Sequence, residues 1–124
     1  MPPDLNDLLP LKPFVFQVLI ELLDHPQHGW SLLRGLEGRT GARVLPGHLY
    51  RQLQALLDAG FIEAVPVGDS PPRGSGSSAR GAAPKRLFRL TPLGRRVARA
   101  EAERLHGLLS DARVRRLLPD RKRT

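Results

Sequence analysis

The sequence predicts a mainly α domain with a small β-hairpin: a winged helix-turn-helix, with a three-helix core, a two-stranded wing and a C-terminal dimerisation helix. Three observations carry this. Three helix-periodic apolar segments fill the first half of the chain. Two short β-like runs then flank a long Gly/Ser/Pro-rich segment. Finally, a Thr-Pro pair opens a segment whose apolar residues recur at alternating spacings of four and three.

Residues 1–10 read as an arm whose Leu5, Leu8 and Leu9 can pack on the domain. Pro13 suits the first turn of a helix, where its missing N–H costs nothing. The run from Phe14 to Leu23 is apolar on nearly every side, so this helix must be buried all round, one side in its own core and another against a second subunit. His25-Pro26-Gln27-His28-Gly29 is turn chemistry. Trp30 to Glu37 forms a short second helix, with Trp30 expected as its core anchor and Gly38 and Gly41 closing it. A third helix opens at Pro46-Gly47. Leu49, Leu53, Leu56 and Leu57 form its buried stripe, and Gly60 is its C-terminal cap.

Phe61–Val65 and Leu87–Leu90 read as strands. The wing loop between them, residues 66–86, has little apolar material from which to build a core; loops of this length are functional or disordered. Thr91 caps the last helix, with Pro92 at its first position. Ala98, Ala102, Leu105, Leu109 and Ala112 make a coiled-coil-like seam on it. A terminal helix has little of its own domain to cover such a seam, which points to a second copy of the chain, with Phe14 and Val18 of the first helix contributing. The expected organisation is an arm (1–10), a winged domain (11–90), a dimerisation helix (91–118) and a tail (119–124).

Charge is unevenly divided. Residues 1–69 carry five Lys/Arg and eight Asp/Glu; residues 70–100 carry eight Lys/Arg and no acid; residues 101–124 carry seven and four. A basic block beside a mildly acidic one points to a polyanion meeting one part of the molecule. In the third helix the outward set includes His48, Arg51 and Gln54, while Tyr50 lies beside the buried stripe with its hydroxyl reaching out; with Gly47 at the helix start, these are the candidates for contacting base edges and phosphates. In the wing, Arg73, Arg80, Lys85 and Arg86 suit salt-dependent backbone contacts.

Other chemistries find less support. There is no cysteine, so disulfide and thiolate chemistry are excluded. Of the four histidines only His25 and His28 lie close together, without an acid cluster, so no metal or other cofactor is expected. The glycines at 74, 76 and 81 lack the Gly-Lys-Ser/Thr ending of a phosphate loop, and no serine has a base and orienter in the pattern. The expectation is a cytoplasmic, non-membrane, non-enzymatic protein.

HPQHGWSLLRGLEGRTG, LPGHLYRQLQALLDAGFIE and KRLFRLTPLG together resemble the PadR-type transcriptional regulators, over residues 11–110. The shared pattern is an HGY-type turn, a PGTLY-type start of the third helix, and a wing leading into an LTxxG-type start of the last. Trp30 stands where Tyr is usual, His48 replaces a small hydroxyl residue, and the wing is longer than the pattern. The resemblance implies a homodimer binding inverted-repeat operators in double-stranded DNA, usually as a repressor. Tyr50 and Arg51 would then contact DNA, with Lys85 and Arg86 in the wing. A protein-docking winged helix and a regulator gated by a small-molecule effector remain alternatives.

Overall fold

A computed structural model describes residues 5–66 and 86–119. A 3-10 turn, Leu5–Leu8, precedes α1 (Pro13–Glu21), β1 (Gln27–His28), α2 (Gly29–Thr40), α3 (Pro46–Ala59), β2 (Ile62–Pro66), β3 (Arg86–Leu90), α4 (Pro92–Ser110) and α5 (Ala112–Arg115). The fold is the mainly helical winged helix-turn-helix expected, with a small antiparallel sheet.

Local chemistry sets most boundaries. Pro13, Pro46 and Pro92 each stand at the start of a helix. Gly41 and Gly60 end α2 and α3 in the left-handed conformation, at φ 76° and 83°, which a glycine reaches without a Cβ penalty. The Thr91 side chain accepts a hydrogen bond from the Gly94 N–H at 3.0 Å, capping α4.

The core gathers Val18, Leu19 and Leu22 of the first helical segment, Leu32 and Leu36 of α2, and Leu49 and Leu53 of α3. Ile62, Phe88 and Val97 close it from the sheet and α4. On β3 the buried Phe88 and Leu90 alternate with the exposed Arg89, the period-two pattern of a half-buried strand.

Four features differ from the sequence reading. The sheet has three strands in the order β1-β3-β2, because Gln27 and His28, read as a turn, pair antiparallel with Phe88 and Leu87. The Gln27 amide also donates to the Glu21 carbonyl, which ties β1 to the end of α1. Secondly, α2 runs through Gly38 to Thr40. The Arg39–Glu21 ion pair lies across Gly35, and a tertiary contact of this kind overrides the weak helix propensity of glycine.

Thirdly, Trp30 is no core anchor: it is 60% exposed. Gly29 takes the inward position beside it, under the ring of Tyr50. Fourthly, the last helix is broken at Asp111, whose extended backbone (φ −68°, ψ 128°) and side-chain bond to the Arg113 N–H at 2.7 Å start a separate turn, α5. Ala112 therefore does not continue the seam of α4.

Candidate nucleic-acid interface

The two-helix unit α2–turn–α3 presents the start of α3 to solvent. Leu45 precedes Pro46 with extended backbone, and the first turn then exposes Gly47, Tyr50 and Arg51, while Leu49 and Leu53 point inward. The Arg51 guanidinium folds back toward the helix start: a Cβ on Gly47 would lie 3.7 Å from it. A long planar donor set thus lies beside the exposed start of α3.

Tyr50 is 49% exposed, and its position is built by Gly29. A side chain on Gly29 would overlap the phenol ring and hydroxyl. This gives a physical reason for a glycine at the start of α2: a side chain there would displace the Tyr50 phenol from its present position.

The other residues read from the sequence are placed less simply. His48 is half-buried and packs on Phe14, ring centroids 4.8 Å apart, so it faces α1 rather than standing in the outward set. Gln54 is exposed, with its amide donating to Asp58 at 3.0 Å. Arg86 is exposed at the base of the wing, its guanidinium 5.7 Å from the Phe88 ring centroid. Arg73, Arg80 and Lys85 lie outside the described residues.

The described part of the basic block divides in two. Arg89 pairs with Glu63 across the hairpin at 2.6 Å. Arg95, Arg96 and Arg99 leave the wing altogether and border an open groove of ≈ 680 Å³ between α1 and α4. Its apolar lining comes from Phe16, Ile20 and Leu23 on one side and Ala98 and Ala102 on the other. The face of the first helix that lies beside the α4 seam is therefore Phe16–Ile20–Leu23. Val18, read as an interface residue, is completely buried in its own protomer and offers no surface to another. Phe14 lies partly buried against His48. Leu109 keeps half its surface exposed, and Leu105 a smaller part.

A buried charge missed by the sequence reading ties the segment just before α1 to α4. Glu101 is 2% exposed and accepts from the Leu11 N–H at 3.3 Å and from Arg104 Nε and Nη2 at 2.9 and 2.8 Å. The Arg104 guanidinium, followed by the Leu11 N–H, holds the Glu101 carboxyl below its ordinary range against the opposing effect of burial. The only sequence signal was the i, i+3 spacing of the pair.

No helix among the described residues is long and apolar enough to cross a membrane. No family model matches the sequence, and no curated protein does. Solved structures do. The chain is similar to RosR of H. salinarum in the complex named RosR-S1, at 25% identity over 92% of this chain and 88% of that one, with a TM-score of 0.62. It is also similar to a PadR family transcriptional regulator from Eggerthella lenta, at 24% identity over 86% of this chain and 83% of that chain, with a TM-score of 0.58. The fold of this chain is that of the PadR-type winged-helix transcriptional regulators.

Proposed function

We propose that the chain is a DNA-binding transcription regulator that reads an inverted-repeat operator as a homodimer and acts as a repressor. The observation that carries this reading is the exposed start of α3, where Tyr50 and Arg51 stand clear of the core on the second helix of a helix-turn-helix. The neighbour in structure from Eggerthella lenta bears the name of a transcriptional regulator, which favours the same reading. Tyr50, Arg51 and Gln54, with the backbone at Gly47, meet the major groove. Arg86, with Arg73, Arg80 and Lys85 of the wing, meets phosphates and supplies the salt-dependent part of the affinity. The α1–α4 groove and the Ala102–Leu105–Leu109 seam receive the second protomer. Half-site centres then lie ~34–36 Å apart, one helical turn. The chain is a binding protein and not an enzyme.

The test is selection of a binding sequence from a random duplex pool, followed by titration of the winner and of random DNA at two salt concentrations. A palindromic winner bound far more tightly than random duplex supports the reading. Arg51→Ala is expected to weaken the winner by about 2–6 kcal/mol, the worth of one good bidentate base contact in each of two half-sites, and to leave random duplex nearly unchanged. Equal, weak and salt-sensitive binding of every duplex refutes it.

A second reading, gating by a small molecule, is favoured by the groove itself, whose volume lies in the range of ligand pockets. It requires that the groove stay open in the dimer. A dimer structure in which partner side chains fill the groove removes it.

A further inference from the structure

The turn from α2 to α3 covers residues 41–45, and two residues at the end of α2 accept three of its backbone N–H groups. The Gly41 N–H donates to the Glu37 carbonyl at 2.8 Å, and the Ala42 N–H to the Thr40 hydroxyl at 3.2 Å. The Val44 N–H donates to Glu37 Oε2 at 2.9 Å, seven residues back along the chain. Val44 is itself a buried core residue, two positions before Pro46 opens α3. Glu37 is also the only acid between Asp24 and Asp58, a stretch that holds Arg34, Arg39, Arg43 and Arg51. A carboxylate on a surface that meets a polyanion repels it. Among the described residues no Lys or Arg pairs with Glu37; the half-buried carboxylate is turned onto the backbone of the turn instead.

From this geometry we infer that Glu37 is a positioning residue for sequence readout: by holding Val44, its carboxylate fixes the direction in which the first turn of α3 carries Tyr50 and Arg51. The inference rests on the DNA-binding reading and adds to it a residue that touches no DNA. Leu49, Leu53 and Leu56 hold α3 to the core along its length, so the loss of one bond in the turn leaves the helix seated. That bond acts ahead of Leu49, the first buried residue of α3, on the exposed helix start. Base-edge contacts need donors held to within about 0.5 Å by a supporting shell of hydrogen bonds, whereas attraction to phosphates tolerates displacement. Freeing the turn therefore lowers discrimination between sequences more than it lowers affinity for DNA as such.

The test compares Glu37→Ala with Glu37→Gln in the full-length chain. Both remove the charge, so both shift the binding of random duplex alike; glutamine alone keeps a side-chain oxygen that can accept the Val44 N–H. A duplex selected from a random pool by the parent and a random duplex are titrated by anisotropy, at a temperature where circular dichroism shows each variant folded. The ratio of selected to random affinity is expected to fall about tenfold or more in Glu37→Ala, a part of what one bidentate contact in each half-site supplies, and to stay near the parent's in Glu37→Gln. A bond that serves stability alone would lower the melting temperature of Glu37→Ala and leave that ratio unchanged, which overturns the inference. Equal losses in the two variants assign the effect to charge and overturn it as well. Should Glu37→Ala fail to fold, Glu37→Asp, one methylene too short for Val44 but still charged, takes its place; an unchanged ratio there is equally refuting. A selection that yields no preferred sequence refutes the DNA-binding reading and this inference together.

Discussion

A methyl group at Gly94 should loosen the whole seating of α4, whereas the same methyl at Gly107 in the same helix should tighten it. At Gly94 an added Cβ would overlap the Phe61 carbonyl oxygen and come within 3.2 Å of Leu90 Cδ2. Backbone sits on one side and a buried core residue on the other, so the helix start must move. Three hydrogen bonds hold it where it is: Thr91 N–H to Phe61 O at 3.1 Å, Thr91 Oγ1 to Gly60 O at 2.6 Å, and Gly94 N–H to Thr91 Oγ1 at 3.0 Å. Losing or stretching these costs about 1 kcal/mol each. Replacing glycine by alanine in a helix returns about 0.5–1 kcal/mol of that. The net loss is roughly 2 kcal/mol, which for a domain of this size lowers the melting temperature by about 8–12 °C.

At Gly107 an added Cβ meets nothing within 4 Å, so only the helix-propensity gain remains and the melting temperature should rise by about 3–6 °C. Both variants and the parent are to be melted by circular dichroism at one protein concentration, because dimerisation makes the midpoint concentration-dependent. A Gly94→Ala variant that melts with the parent would falsify the close-approach argument. A Gly107→Ala variant that loses stability would show that its face of α4 is covered.

Two further expectations concern α4. Glu101 has a folded-state pKa lowered from the ordinary 4.5 by Arg104 and the Leu11 N–H, so as pH falls the unfolded chain takes up its proton first. Its contribution is complete above the ordinary carboxylate pKa and is lost as pH falls through the folded value. Melting curves of Glu101→Gln and the parent should therefore differ at neutral pH and converge in acid, and parallel curves would sink the assignment. Leu109 is half exposed in the protomer; covering that half is worth about 1 kcal/mol. Two-fold symmetry doubles the effect, so Leu109→Ala should weaken the dimer roughly thirtyfold, read by sedimentation. An unchanged dimer would move the interface elsewhere.

The sequence by itself determined the order of the four main helices and the two wing strands, and most of their ends. Prolines at 13, 46 and 92, glycines at 41 and 60 and the Thr91 cap act on the backbone within one turn, so they can be read without knowing the neighbours. The apolar stripe of α3 was legible for the same reason: a residue's face on a helix follows from its spacing. The break at Asp111 is equally local, a capping residue inside a periodic seam.

Only the tertiary structure decided which neighbour covers each face. Gln27 and His28 carry no strand signal and become one because β3 offers an open edge. Trp30 is outside because Gly29 holds the inward place beneath Tyr50. His48 turns to Phe14, Glu101 meets the Leu11 N–H ahead of α1, and the described part of the basic run parts between the base of the wing and the α1–α4 groove. Periodicity states that a side chain is on one side of its own element; contacts between residues tens of positions apart decide what stands opposite, and no spacing rule contains them.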